Sequence, residues 1–167
     1  MNNDPSKVKQ IVHIIGIGNL TRLDDGVAIR VVQELEKIEF PSGVKITDLG
    51  IGGVDIALIF DGWLYGIIID AVDIEGLTPG EVVEFKITEN NLPDVKGLSS
   101  SDGFDALTAL KLAYAVSEFN LPREIVILGI QLEQMTGFGI KLSSSVEKAI
   151  PIVIERVAEL IELFLQK

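Results

Sequence analysis

Apolar residues follow two different spacings along this chain. Residues 8–15, 64–69 and 124–130 are short runs rich in Ile and Val. Continuous apolar runs of this length predict strands that are buried on both faces of a sheet. Residues 44–49 predict a further strand, and residues 81–87 alternate polar and apolar positions. That alternation predicts a strand with one wetter face, at an edge of the sheet.

Apolar positions three or four residues apart lie between these runs. They predict helices at residues 27–38, 104–119 and 143–165, and a short helix that ends at Phe60. Pro151 predicts a kink in the last helix, because proline cannot donate the backbone hydrogen bond of a helix interior.

Strands and helices therefore alternate along the sequence. This order predicts an α/β fold, a three-layer sandwich with a mostly parallel, twisted five-stranded sheet and helices on both faces. Residues 88–103 follow neither spacing and predict a long loop, of a length that is often functional. A length of 167 residues fits a single domain that spans residues 1–167.

Composition narrows the classes of function. The chain has no cysteine, which excludes disulfides, thiolate metal sites and a cysteine nucleophile. Its 14 Lys and Arg against 25 Asp and Glu give a net charge of −11, which disfavours nucleic acid as a partner. No apolar run reaches the roughly 18 residues of a membrane span. The first residues lack the apolar region of a signal peptide, so we expect a soluble cytoplasmic protein.

Acidic and amide residues mark the ends of four predicted strands. They are Asp24 and Asp25 after the first, Asp48 at the second, Asp70 and Asp73 at the third, and Gln131 at the fifth. Ligands of open α/β sheets bind at this edge, and oxygen ligands suit a hard or borderline metal that would offset the crowded charge. The alternative is that each Asp shapes a turn or caps a helix. Asp70 is the strongest candidate, because it follows six uncharged residues.

Other residues with reactive side chains give weaker indications of a functional site. Residues 16–19 (Gly-Ile-Gly-Asn) resemble a dinucleotide turn, but Thr21 stands where that fingerprint needs its third glycine. His13 is the only histidine and lies inside an apolar run, where we expect it to be packed. A Ser-His-Asp arrangement is therefore disfavoured. Trp63 and Tyr65 are expected to pack at the start of a strand.

A series of motifs resembles one known family. The motifs lie at residues 16–19, 24–27, 48–53, 68–73, 79–82, 105–107, 128–131 and 139–143, in the family's order and over nearly the whole chain. The family is that of the [NiFe]-hydrogenase maturation endopeptidases. The resemblance implies a twisted five-stranded α/β sandwich.

The resemblance also implies a reaction. Members remove a short C-terminal extension from the hydrogenase large-subunit precursor after nickel insertion, and the substrate carries the nickel. No metal bound tightly to the free protein is expected. By resemblance, Asp25 and Asp70 bind that nickel, and Asp48 matches a position tied to activity. Our hypothesis is that Asp48 orients or activates the attacking water. The implied partner is the precursor, and the protein itself is expected to be a monomer or a weak homodimer.

The third metal ligand is where this sequence departs from the family. The family's ligand histidine falls on Ser99, or on Ser100 if the loop slips by one residue. Imidazole suits nickel better than a hydroxyl does. Asp102 is close enough in sequence to substitute. Leu49 and Ala28 also stand where the family has glycine. A second function therefore stays open: a non-catalytic maturation or metal-checking protein that binds the precursor without cleaving it.

Overall fold

Five strands form one sheet in the computed structural model, which describes residues 9–51, 56–93, 106–116, 118–134 and 136–167. The strands are β1 (Val12–Ile17), β2 (Val44–Gly50), β3 (Tyr65–Val72), β4 (Val82–Ile87) and β5 (Glu124–Gln131). Their order is β2-β1-β3-β5-β4, and only the β4–β5 pair among them is antiparallel. The prediction of a mostly parallel sheet with residues 81–87 at an edge is confirmed.

Helices join the strands. They are a 3-10 turn (Leu23–Gly26), α1 (Val27–Leu35), α2 (Ile56–Phe60), α3 (Ala106–Val116), α4 (Ser144–Glu147) and α5 (Ala149–Leu165). The part of the chain that the structure describes contains no helix that is both long and apolar enough to cross a membrane.

Two apolar cores lie on opposite faces of the sheet, because successive side chains of a strand point to opposite sides. On one face, Ile14 and Ile67 pack with Val31 of α1 and Val157 of α5. The other core contains the following strand residues, Ile15 and Ile68, together with Phe60 of α2 and Leu110 of α3. Full burial of each such side chain contributes about 1.5–3 kcal/mol. The three-layer sandwich is thereby confirmed.

Strand boundaries depend on pairing partners rather than on the apolar run alone. The predicted strand at 8–15 is observed at Val12–Ile17, because Val12 pairs with both Val44 and Tyr65 and the ladder continues to Ile17. The third strand likewise continues beyond the predicted Ile69, so Asp70 lies inside β3 rather than after it.

The first predicted helix is shorter than expected, and the last one is interrupted. The helix predicted at 27–38 ends at Leu35, where Lys37 and Ile38 donate to carbonyls only three residues back, and Ile38 is 45% exposed. The last helix is broken at Lys148, between α4 and α5. Pro151 explains the break, because it has no N–H for the carbonyl of Glu147 four residues earlier.

Candidate active site

The carboxyl ends of β2, β1 and β3 bring two of the predicted acids to one edge of the sheet. Asp48 of β2 pairs with Gly16, and Asp70 of β3 pairs with Ile17. The two acids therefore flank the end of β1, with their backbones about 10 Å apart across two strand spacings. Asp70 is buried, whereas Asp48 is exposed.

Asp25 reaches the same edge from the 3-10 turn that follows β1. This turn contacts β3, and Asp25 is 6% exposed against 3% for Asp70. The Asp25 backbone is held by its neighbours: its N–H donates to the carbonyl of Arg22 at 3.2 Å, and its carbonyl accepts from the N–H of Asn19 at 3.3 Å. Asp25 and Asp70 are thus two buried carboxylates on elements in contact.

Close packing explains the glycines that resemble a dinucleotide turn. A side chain on Gly18 would overlap the carbonyl oxygen of Asp25, and one on Gly16 would come within 2.5 Å of the Val32 side chain. Gly18 therefore lets the turn that carries Asp25 lie against β1, and Gly16 lets α1 do so. This packing explains both glycines, so a bound dinucleotide phosphate is not needed to account for them.

Asp48 borders a different space from the two buried acids. Its Oδ1 accepts a hydrogen bond from the N–H of Gly50 at 2.8 Å. A cleft of about 250 Å³ lies beside it, lined in part by Gly18 and Ile29. Asp25 and Asp70 are not among the described residues that line this cleft. A water held by Asp48 would therefore approach from the β2 side of the β1 end.

Asp73 and Gln131 form part of a turn. Gln131 is 5% exposed, and its Oε1 accepts from the N–H of Ile74 at 2.9 Å. Its Nε2 donates to Asp73 Oδ1 at 3.4 Å. The turn-shaping alternative therefore accounts for both residues.

The predicted gathering of these acids and Gln131 around one metal is not found among the described residues. Within the described ranges, no three His, Asp or Glu side chains meet as a metal site. Ser99, Ser100 and Asp102, the alternatives for the third ligand, lie outside the described residues. Asp25 and Asp70 as nickel ligands stay a prediction.

Asp24 is the candidate acid whose role the sequence did not indicate. It is fully buried, and its carboxylate accepts four hydrogen bonds, from the N–H groups of Glu133, Gln134 and Ser143 and from the Ser143 hydroxyl. These donors are more than 100 positions away in sequence, so no local pattern indicates them. The turn thus carries two buried acids, and the carboxylate of Asp24 is bound by distant parts of the fold.

His13 is packed, as its position in an apolar run predicts. The Ile59 carbonyl lies 3.1 Å from Nδ1 and can only accept, so Nδ1 carries the proton. Nε2 then accepts from the Thr47 hydroxyl at 2.8 Å. Burial, opposed by the bond to Ile59 and assisted by Lys45, lowers the pKa of His13 to about 4. The ring also lies 4.6 Å from that of Trp63, so His13 is a neutral core residue.

The chain is similar in sequence and in structure to members of one protein family. The sequence profile described as HycI, hydrogenase maturation protease, matches residues 29–160. The chain belongs to the hydrogenase maturation protease family. The match to this family includes Asp48 and Asp70 and begins four positions after Asp25.

Individual relatives agree with the family assignment. The chain is 32% identical over 151 residues to the hydrogenase expression/formation protein HoxM of Azotobacter vinelandii, covering 87% of this chain and 72% of HoxM. The structure of the [NiFe] hydrogenase maturation protease HybD of Thermococcus kodakarensis is similar with a TM-score of 0.67 and 27% identity, over 90% of this chain and 98% of that one. The Escherichia coli endopeptidase HybD shares the fold, with a TM-score of 0.76, 22% identity and coverage of 90% and 91%.

Proposed function

We propose that this protein is an endopeptidase that removes the C-terminal extension of a [NiFe]-hydrogenase large-subunit precursor after nickel insertion. The observation that carries the proposal is the pair of buried carboxylates, Asp25 and Asp70, at the ligand-binding edge of the sheet in a member of this protease family. The proposed working site is the cytoplasm. The protein is proposed to act as a monomer or a weak homodimer.

The role proposed for the buried pair follows from its charge. Two carboxylates that are removed from water disfavour each other's ionised form unless a cation compensates. Nickel carried by the precursor is a cation that both carboxylates can bind, so we propose that a loaded precursor is favoured over an empty one. No tightly held metal is needed in the free protein, because the ion arrives with the substrate.

In the proposed cleavage step, the acids on the two sides of β1 have different roles. The substrate's nickel, held by Asp25 and Asp70, polarises the scissile carbonyl or a water bound to it. Asp48 orients or activates the attacking water from the exposed side. Since Asp48 and Asp70 flank β1, the path proposed for the substrate peptide crosses the end of that strand. Asp102 is the proposed third ligand, because Ser99 and Ser100 offer only hydroxyls.

The test is mass spectrometry of a large-subunit precursor, nickel-loaded or nickel-free, after incubation with the protein. We expect loss of a C-terminal peptide only from the loaded precursor. Asp70→Asn should slow this cleavage by more than about 100-fold. Even the loss of a group that only orients a metal ligand lowers metal affinity or activity by 10–100-fold. Asp73→Asn is the matched control: it lies at the same end of β3 but bonds to Gln131, and its rate should stay near that of the wild type. Normal processing by Asp70→Asn would contradict the proposal.

The second candidate is binding without cleavage, and the serines at the ligand position favour it. A loaded precursor that stays intact yet co-purifies with the protein would support this function. Restoration of cleavage by Ser99→His would then identify the missing imidazole as the reason. Robust cleavage by the wild type would exclude it.

A further inference from the structure

We propose that Asp24 is a positioning residue, which holds Asp25 in place by fastening the 3-10 turn to the connection between β5 and α4. The inference rests on the proposed function for its kinetic part, and on geometry alone for its structural part. Asp24 holds the turn, whereas Asp25 is the proposed nickel ligand.

The carboxylate of Asp24 joins three parts of the fold. Its Oδ2 accepts from the N–H of Glu133 at 3.1 Å and from that of Gln134 at 2.8 Å, directly after β5. The Ser143 N–H donates to Oδ1 at 2.6 Å, and the Ser143 hydroxyl donates to Oδ2 at 2.8 Å, directly before α4. One fully buried side chain therefore ties the turn to both ends of the β5–α4 connection.

The backbone of the turn needs such fastening. Leu23 has a φ of +52°, a left-handed conformation that is unfavourable for a non-glycine residue and persists only where the surroundings impose it. Two further bonds reinforce it: the Leu23 N–H donates to the Gly139 carbonyl at 2.8 Å, and the Gly139 N–H donates to the Thr21 carbonyl at 2.8 Å. The turn is thus bound on its outer side by the same connection that holds Asp24.

Asp25 is fixed from the opposite side by β1. Its carbonyl accepts from the Asn19 N–H and lies against Gly18, which has no side chain to displace it. The turn is therefore held between the end of β1 and the β5–α4 connection. If the bonds to Asp24 are lost, the outer support weakens while the inner one remains, and the turn is free to rotate the Asp25 carboxylate away from Asp70.

Asp24→Asn tests this arrangement with little change of shape. An amide keeps one acceptor oxygen and puts an NH₂ group where the other stood, so at least one N–H of the fold then faces a donor. Ser143→Ala is the graded control, because it removes only the hydroxyl bond and leaves the three backbone donors. Asp24→Glu keeps the charge but lengthens the side chain by one methylene.

The kinetic prediction compares kcat and KM on the nickel-loaded precursor, at a temperature where circular dichroism shows every variant folded. We expect Asp24→Asn to lower kcat/KM by 10–100-fold, as is typical of groups that orient a metal ligand, with a raised KM as part of the loss because Asp25 is proposed to bind the precursor's nickel. Ser143→Ala should lose less than about threefold. Asp24→Glu should recover part of the loss.

The double variant separates positioning from stability. If Asp24 acts through Asp25, then Asp24→Asn adds no further loss to Asp25→Asn, because the interaction is already gone. If Asp24 serves only the stability of the fold, the two losses multiply, and that result would overturn the inference. A loss that disappears when rates are divided by the folded fraction would overturn it as well.

A structure of the Asp24→Asn variant tests the positioning role of Asp24 without an activity measurement. If the wild type leaves the loaded precursor intact, the proposed function fails, and the position of Asp25 relative to Asp70 decides the present inference. Displacement of the Asp25 carboxylate in Asp24→Asn but not in Ser143→Ala supports it. An unchanged Asp25 in both variants contradicts it.

Discussion

The two ends of the central strands are built in different ways. At the amino end, large side chains fill the space: the rings of Tyr65 and Phe164 stack at 4.4 Å, and those of His13 and Trp63 lie 4.6 Å apart. At the carboxyl end, Gly16 and Gly18 let backbone segments approach one another. Buried acids follow there, on the 3-10 turn and on β3.

This difference separates stability from function. Aromatic packing at the amino end excludes water, and its one histidine is satisfied by Thr47 and Ile59. Glycines at the carboxyl end leave backbone and carboxylates close to where a ligand binds in such sheets. Changes at the amino end should therefore alter the free energy of unfolding, whereas changes at the carboxyl end should also alter cleavage.

The largest effect at the amino end is expected from His13 as pH changes. Its pKa is about 4 in the fold against 6.5 in the unfolded chain, so between these values the unfolded state binds more protons. The free energy of unfolding should therefore rise with pH across this window, by up to about 3 kcal/mol, and the gain is lost as pH falls back to 4.

Denaturant unfolding at several pH values measures this contribution, with His13→Gln as the comparison. Glutamine can still form hydrogen bonds but does not titrate, so the rise from pH 4 to 6.5 should be smaller in the variant. Carboxylates that titrate in the same range are common to both proteins and cancel in the difference. Equal slopes for the two proteins would show that His13 is not held neutral.

The next effect compares one glycine from each end. A methyl group on Gly18 would overlap the Asp25 carbonyl, whereas one on Gly66 would lie 2.7 Å from the ring of Phe60. Overpacking of this kind costs about 1–3 kcal/mol at either position. Only Gly18→Ala should also lower the cleavage rate of the folded protein, because it moves the turn that carries Asp25.

Thermal unfolding and cleavage assays on Gly18→Ala and Gly66→Ala together check this contrast. Gly66→Ala is the control for lost stability, since its clash is with a side chain far from the site. If both variants lose cleavage in proportion to their unfolded fraction, the proposed difference in function between the two ends of the strands is wrong.

The sequence predicted the sheet better than it predicted the site. Apolar runs identify strands because burial on both faces leaves little choice of residue type, and the alternation at residues 81–87 identifies an edge for the same reason. His13 could be assigned to the core from its apolar neighbours alone. The ends of β1 and β3 could not be located, because pairing with β2 and β5 extends these two strands past their apolar runs.

The roles of the neighbouring acids Asp24 and Asp25 could not be separated from the sequence. Both follow β1 and both are buried, yet Asp24 is bound by donors that are 109 to 119 positions away. Such partners become visible only when β5 and α4 are placed beside the turn. The sequence also could not show that Asp73 and Gln131 shape a turn, because structural and functional residues alike lie at strand ends.

The smallest effect is expected from Glu124, an acid at the amino end. Burial alone would raise its pKa, but ion pairs with Lys167 at 3.0 Å and Lys86 at 3.2 Å outweigh this and lower the pKa below its usual value. The side chains of Lys86 and Lys167 are 55% and 37% exposed, so the pairs are screened by water and salt. Glu124→Gln should therefore cost less than about 1 kcal/mol, less still at high salt, and leave cleavage unchanged. Urea unfolding at low and high salt measures this. A loss of cleavage in Glu124→Gln without a loss of stability would mean that the amino end also takes part in the reaction.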